Sequence, residues 1–252
     1  IKLVMKGIIT VRTSSSRLPN KCLLRFHNSP SIIEYIINRS KAFGIEPIIC
    51  TSNDHSDDII EEIAIKNNVK FYRGSLNNKI SRWYHCAKKF NIDYFHNIDA
   101  DDPFFDGIRM KASLKLLKKS NFDFIKPSYY SDNGGASEGY SIKTSFLEKV
   151  YKKYQEDSLD TEMIAFYFEK IKNLKFSIIE DPKYAIKIKN RIPRLTLDYF
   201  EDYIFLNYLA FVTKGSIKRS DIESFLNKNK TLAEINIKLN EIWKKNQLDK
   251  AF

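Results

Sequence analysis

Apolar residues follow two alternating rhythms through the first half of the chain. Short, nearly unbroken apolar runs at 7–11, 47–51, 69–72 and 94–98 read as strands, the first two of them buried on both faces. Between them, apolar positions recur three and four residues apart, the period of a helix with one face on a core. The stretch opening at Ser31 has Ser29 or Ser31 as its cap, Pro30 near its start and Gly44 as its stop. Residues 56–64 combine a polar cap, an acidic first turn and a helical apolar period. Residues 79–90 form another amphipathic helix. Strands alternating with helices imply an α/β fold, a mostly parallel sheet with helices on both faces. Ligands of such sheets bind beyond the carboxyl ends of the strands. That rule puts the loop after residue 11, the strand end at Thr51 and the strand end at Asp99 on one rim.

The second half continues with a helix over 107–120, a strand over 122–126 and a polar, glycine-rich loop over 131–140. A helix over 144–153 and a strand over 176–179 follow. Residues 194–198 read as a short alternating strand ending in Asp198, before a helix whose first turn carries Glu201 and Asp202. Helices around 222–226 and 232–236 end the pattern.

Composition narrows the classes. The chain has 252 residues, 43% of them hydrophobic and 13% aromatic, enough for one large α/β core with a small addition. No apolar run approaches the ~18 residues of a membrane span, so no membrane insertion is expected. Ile1–Met5 leads straight into the first strand without a secretory pattern, and Cys22, Cys50 and Cys86 are odd in number and lack metal-ligand spacing. A reducing cytoplasm fits both features. The net charge is +11. Lysine is spread almost evenly, with no basic stripe interleaved with aromatics, so nucleic acid is not the expected partner. One cluster is denser than the rest.

That cluster is R-T-S-S-S-R-L-P-N-K at 12–21, directly after the first strand. Arg12, Arg17 and Lys21 supply charge, while Ser14, Ser15, Ser16 and their amides can wrap phosphate oxygens. Pro19 stiffens the turn, and Asn20 tolerates a left-handed backbone. From spacing alone, a polyphosphate cradle and a basic surface loop are both open. The loop after the fourth strand carries Asp99, Asp101 and Asp102 within four residues. Crowded carboxylates repel one another unless a cation or donors intervene. Mg²⁺ would satisfy them, and so would a role as caps for the helix after Pro103.

The order Arg12, Arg17, Pro19, Lys21 resembles the signature of the sugar cytidylyltransferases, whose SpsF-like and Kdo branches carry A-R-x-x-S-x-R-L-P-G-K here. Val11 stands for the Ala and Asn20 for the Gly. Further segments resemble the same family: Arg73-Gly74-Ser75 with Arg82, Ala100 to Pro103 for G-D-x-P, Gly134 and Glu138 for G-x-x-x-E, and R-L-T-L-D at 194–198 for R-L-T-x-D. Where many relatives show E-H-V-T, this chain has Asp160-Thr161-Glu162-Met163, a departure that suggests a changed acceptor pocket or dimer surface.

The resemblance implies a Rossmann-like nucleotidyltransferase fold with C-terminal helices. Residues 1–212 would form the α/β domain, including an acceptor or dimer insert over about 128–190, and 213–252 a helical extension. It implies transfer of CMP from CTP to a small acidic acceptor, with release of pyrophosphate, in surface glycan biosynthesis. A phosphonate acceptor, or an inactive nucleotide- or sugar-binding homologue, is the alternative. Arg12, Lys21, Asp101 and Asp198 would be catalytic, and Asp101 and Asp198 would hold Mg²⁺. Val11, Ser14, Ser15, Ser16, Arg17, Arg73, Gly74, Ser75, Arg82 and Asp99 would contact the nucleotide, and Glu138 the acceptor. A homodimer is the expected assembly.

Overall fold

The computed structural model describes residues 4–134 and 137–248; Gly135 and Ala136, inside the predicted polar loop, lie outside it, as do the two ends of the expected domains. Seven strands form one sheet: β1 (Met5–Thr10), β2 (Ile45–Ser52), β3 (Lys70–Gly74), β4 (Tyr94–Asp99), β5 (Phe124–Lys126), β6 (Ser141–Lys143) and β7 (Phe176–Ile178). Their spatial order is β3-β2-β1-β4-β6-β5-β7. The half from β3 to β4 is parallel throughout. Only β6 runs against its neighbours β4 and β5, and β7 is again parallel to β5.

The alternation of β1 explains the layering. Ile9 belongs to one apolar cluster, with Ile33 and Ile36 of α1 (Ile32–Ala42) and Ile60 of α2 (Asp58–Lys66). Ile8, one residue earlier, belongs to the opposite cluster, with Trp83 of α3 (Lys79–Lys89), Phe146 of α6 (Thr144–Lys153) and Phe168 of α7 (Ile164–Glu169). Neighbouring residues of a strand point to opposite faces, so each needs its own helix layer. The helix α4 (Gly107–Lys119) follows β4 and is capped by Asp106, whose carboxylate accepts from the amides of Ile108 and Arg109. Asp101 and Asp102 are thereby free of the capping role that was open to them.

The polar loop begins as a single helical turn, α5 (Tyr129–Asp132), and at its far end Gly139 adopts φ +69° against the carbonyl of Asn97. A side chain there would collide with that backbone. The C-terminal helices are α8 (Phe200–Val212), α9 (Arg219–Lys228), α10 (Glu234–Ile237) and α11 (Leu239–Leu248). Ile222, Leu226 and Ala233 are fully buried in the same cluster as Ile9, so this part of the chain shares the core of the sheet. Residues 194–198, expected as a strand, form none. The segment is irregular, with a bend at Thr196, and is fastened at two points, Leu195 N to Gly134 O and Leu197 N to Asp101 O, each 2.7 Å.

His96 sits in the middle of β4, 2% exposed. Its Nδ1 lies 2.7 Å from the Ser141 hydroxyl, and its Nε2 meets the Glu138 carbonyl. Burial pushes its pKa down to about 4, against a smaller upward pull from that carbonyl. An unfolded histidine near 6.5 takes up its proton first, so the stability this group contributes is intact above pH 6.5 and declines toward pH 4. The expected slope is at most about 1.4 kcal/mol per pH unit for one proton. Urea unfolding of the wild type and of His96→Gln at pH 7 and pH 5 checks this: the difference between the two proteins should shrink as the pH falls, and an unchanged difference would refute it.

Candidate active site

The signature loop is built before it binds anything. Asn20 has φ 56°, the left-handed conformation its residue type allows, and its amide bonds the Thr13 carbonyl at 3.1 Å. The loop is also tied to the neighbouring strand by a residue that sequence reasoning passed over. Asp57 is fully buried just before α2. Its Oδ1 accepts from Thr13 N and Thr13 Oγ1, both 2.7 Å, and its Oδ2 from Ser52 Oγ at 2.5 Å. One carboxylate thus fixes the start of the loop to the end of β2.

From that anchor the cations reach across the sheet end. Lys21 Nζ lies 2.9 Å from Asp101 Oδ2, 3.2 Å from Asp198 Oδ1 and 2.6 Å from the Leu197 carbonyl. Arg17 Nη2 meets the same Asp198 oxygen at 2.5 Å. Two carboxylates that are far apart in sequence therefore face each other across a single ammonium. Burial works against the charge on Lys21, but Asp101 and Asp198 outweigh it and raise its pKa. Burial likewise works against the Asp198 carboxylate, and Lys21, then Arg17 and Arg194, overcome it and lower its pKa.

Asp198 is held from behind by Arg194, which is 0% exposed. Its Nη2 lies 2.9 Å from Asp198 Oδ2 and 3.0 Å from Asp202 Oδ2, and its Nη1 lies 2.9 Å from Asn240 Oδ1 on α11. Asp202 Oδ2 also accepts from the amides of Asp198 and Tyr199 at the start of α8. Tyr199 is the cap position of that helix, so Asp198 keeps its carboxylate for the cleft.

A second row of charges faces the same cleft. Arg12 Nη2 is 3.0 Å from Glu162 Oε2, Lys79 Nζ is 3.6 Å from Glu162 Oε1 and 3.4 Å from Asp99 Oδ1, and Asn97 Nδ2 donates to Asp99 Oδ2 at 3.0 Å. The cleft encloses about 430 Å³ and also meets Ser14, Ser15, Ser16, Thr196 and Trp243.

The acidic loop carries an electrostatic load. Burial, followed by repulsion from Asp101 and Asp99, raises the pKa of Asp102 well above the carboxylate range. Burial also raises that of Asp99, with Lys79 opposing and Asp101 adding to it. Asp102 Oδ1 and Arg17 Nε are buried without a hydrogen-bond partner, an acceptor and a donor. Hard carboxylate oxygens from two loops, aimed at one cation position, suit Mg²⁺. Among the described residues no group of three or more His, Cys, Asp or Glu forms a protein cage for a metal. Mg²⁺ is commonly held by one or two carboxylates together with substrate phosphates, so the pair Asp101 and Asp198 fits that ion.

The sequence model of the cytidylyltransferases matches residues 6–241. The chain belongs to the cytidylyltransferase family. It is 28% identical over 233 residues to MJ1063 of Methanocaldococcus jannaschii, covering 91% of this chain and 93% of that protein. It is 24% identical over 234 residues to the spore coat polysaccharide biosynthesis protein SpsF of Bacillus subtilis, covering 88% and 93%. The structure of a cytidylyltransferase from Leptospira borgpetersenii superimposes with a TM-score of 0.77 at 24% identity, covering 92% of this chain and 97% of that one.

The expected residues divide into two groups. Val11, Arg12, Ser14, Ser15, Ser16, Arg17, Lys21, Asp99, Asp101 and Asp198 all border the cleft. Arg73, Gly74, Ser75, Arg82 and Glu138 do not. Arg73 turns to Asp58 at 2.7 Å and Glu61 at 3.0 Å. Arg82 is buried with its Nη1 on the carbonyls of Ser75 and Leu76, and the Ser75 hydroxyl bonds the Asp157 carbonyl. Gly74 packs a glycine-sized gap against Tyr72 and Arg82. Glu138 is 4% exposed, paired with Arg109 and accepting from Ser128 N. Arg73 and Glu138 are paired within the fold, while Arg82 keeps its Nε and Nη2 buried without a partner. Lys79, Asn97, Glu162, Thr196 and Trp243 border the cleft and were not singled out as site residues. The signal available for Glu162 was the departure from E-H-V-T.

The hold of Asp57 on the signature loop makes a stability prediction. Asp57→Ala leaves the Thr13 amide and the Ser52 hydroxyl buried without their acceptor, and should cost about 2–4 kcal/mol. Urea unfolding measures it; a loss below about 1 kcal/mol would show that the loop stands without this anchor.

Proposed function

We propose that this chain transfers the cytidylyl group of CTP to a small acidic sugar or related acceptor, releasing pyrophosphate, in the assembly of a surface glycan. One observation carries the reading: cations from the tip of β1 and carboxylates from two distant loops meet at one ammonium, that of Lys21. The glycan context draws on the likeness to SpsF, a spore coat polysaccharide biosynthesis protein.

Attack of an acceptor oxygen on the α-phosphorus needs in-line positioning and neutralisation of charge more than covalent help from the protein. Asp101 and Asp198 would hold Mg²⁺, which would supply positive charge to the triphosphate and ease loss of the acceptor proton. Lys21 and Arg17 hold phosphate oxygens and offset the negative charge that builds on the leaving pyrophosphate. The unpaired Nε of Arg17 is a donor ready for one of those oxygens. Ser14, Ser15 and Ser16 add hydroxyls and amides along the same cradle. Asp57 and Arg194 keep the two sides of the cleft in place and touch no substrate.

Pyrophosphate release in the presence of Mg²⁺, with CTP, UTP, GTP and ATP each offered against a series of acceptors, tests the reading directly. CTP should be the productive donor. Asp101→Asn and Lys21→Ala should each lower turnover at least ~100-fold, as loss of one charge-stabilising group does in other enzymes. Near-normal turnover in both folded variants would refute these roles.

A further inference from the structure

The second row of charges in the cleft is not used by the cytidylyl-transfer reading, and its central member is unusual. Lys79 opens α3, its side chain is 8% exposed, and its ammonium borders the cleft. A cation at the first position of a helix faces the positive end of the helix dipole. Burial adds to the cost of keeping it charged. The contacts at 3.4 Å to Asp99 and 3.6 Å to Glu162 are longer than the 2.7–2.9 Å typical of a charge-assisted hydrogen bond. The amides of the same turn are engaged: Ile80 N donates to Thr161 Oγ1 and Ser81 N to Asn78 Oδ1. Lys79 is also placed firmly, with its ammonium 5.0 Å from the ring centre of Trp83. Burial works against its charge, Asp99 and Glu162 outweigh that, and the length of both contacts leaves the fixed ammonium room to receive an anionic oxygen.

Glu162 is held as deliberately. Thr161, wholly buried, bonds Ile80 N and Asn78 Oδ1, and Asn78 Nδ2 holds the carbonyls of Tyr154 and Glu156. The segment carrying Glu162 is thereby fixed to the start of α3. Lys79 shares no partner with Lys21, whose carboxylates belong to the triphosphate side. Asp99 and Glu162 present oxygens to hydroxyl groups on either side of the Lys79 ammonium.

We infer that Lys79 receives the carboxylate of a polyhydroxylated acid acceptor, with Asp99 and Glu162 taking hydroxyls beside it, so that this row selects the second substrate. The inference deepens the cytidylyl-transfer reading and rests on it. Lys79 here is a binding and specificity residue, and it takes no part in the bond changes.

The test compares wild type with Lys79→Met, which keeps the length of the side chain and removes its charge. Pyrophosphate release is followed with CTP and Mg²⁺ against glucuronate, gluconate, N-acetylneuraminate and 3-deoxy-octulosonate, and against the neutral glucose and N-acetylglucosamine. Calorimetry with CTP and Mg²⁺ alone, and melting curves with each compound, run in parallel. At least one acid should be turned over, or should raise the melting temperature of the CTP-loaded wild type. Lys79→Met should weaken that acid by at least ~10-fold in KM or Kd, about the worth of one charged contact. Its affinity for CTP should stay within about twofold, below the effect of one such contact. Loss of CTP affinity to the same extent as acid affinity would place Lys79 on the nucleotide and overturn the inference. So would a wild type that binds CTP yet ignores every acid, or that prefers the neutral sugars. A wild type that does not bind CTP would instead sink the reading underneath, and this one with it.

Discussion

The ammonium of Lys21 is the point on which this molecule is assembled. It closes a gap between the loop after β1, the loop after β4 and the segment before α8, and Arg17 adds a second ion pair between the first and the last of these. Burial works against the Asp198 carboxylate, and Lys21, Arg17 and Arg194 overcome it. The contrast lies in the loop after β4, where burial raises Asp99 and Asp102. The acidic side chains of the cleft are therefore not equivalent.

Ion pairs of this sort are a weak source of stability, because the cost of desolvation takes back much of the Coulomb gain. Their value is in geometry. Asp198 has one oxygen on Arg17 and Lys21 and the other on Arg194, so its plane is set from both sides. Arg194 is in turn fixed by Asp202 and by Asn240. A preorganised charge loses no reorganisation energy when substrate arrives, and that is the main way an enzyme of phosphate chemistry lowers a barrier. The apolar layers serve the same end. They hold β1 and β4 side by side in register, with Thr10 opposite Asp99, so that the two loops leave the sheet at one edge.

Much of this was legible in the sequence because it is local. The alternation of Gly7 to Val11, the density of cations over the next ten residues and the rule about strand ends together located the basic half of the cleft. The acidic half came from the carboxylates after β4 and, for Asp198, from the family resemblance of R-L-T-L-D at 194–198. Some expected contacts do not border the cleft, among them Arg73 and Glu138, charged residues whose long-range partners the sequence does not show. Arg73 looks like a nucleotide contact until β3 is seen to place it against Asp58 and Glu61 on α2. Glu138 looks like an acceptor contact until α4 brings Arg109 beneath it. Residues 194–198 alternate like a strand, but both of their backbone anchors are loops, and no neighbouring strand is there to complete a ladder. Lys79 reads as an ordinary helix-end charge until the fold sets it beside Glu162, whose one signal was the departure from E-H-V-T.

The distribution of charge also bears on the partner. An even excess of lysine gives the whole molecule a positive field, which draws in polyanions of every kind and raises association rates without selecting among them. Selection has to come from the few cations that the fold removes from solvent. Three cations that line the cleft are Arg17, Lys21 and Lys79, the first two set against Asp101 and Asp198, the third against Asp99 and Glu162. On the proposed reading, a magnesium–triphosphate would take over the partners of the first set. The second set pairs with different carboxylates and would be left to read a different molecule. Two substrates of unlike chemistry would then be sorted within one continuous cleft, because its two charged rows share no ion-pair partner.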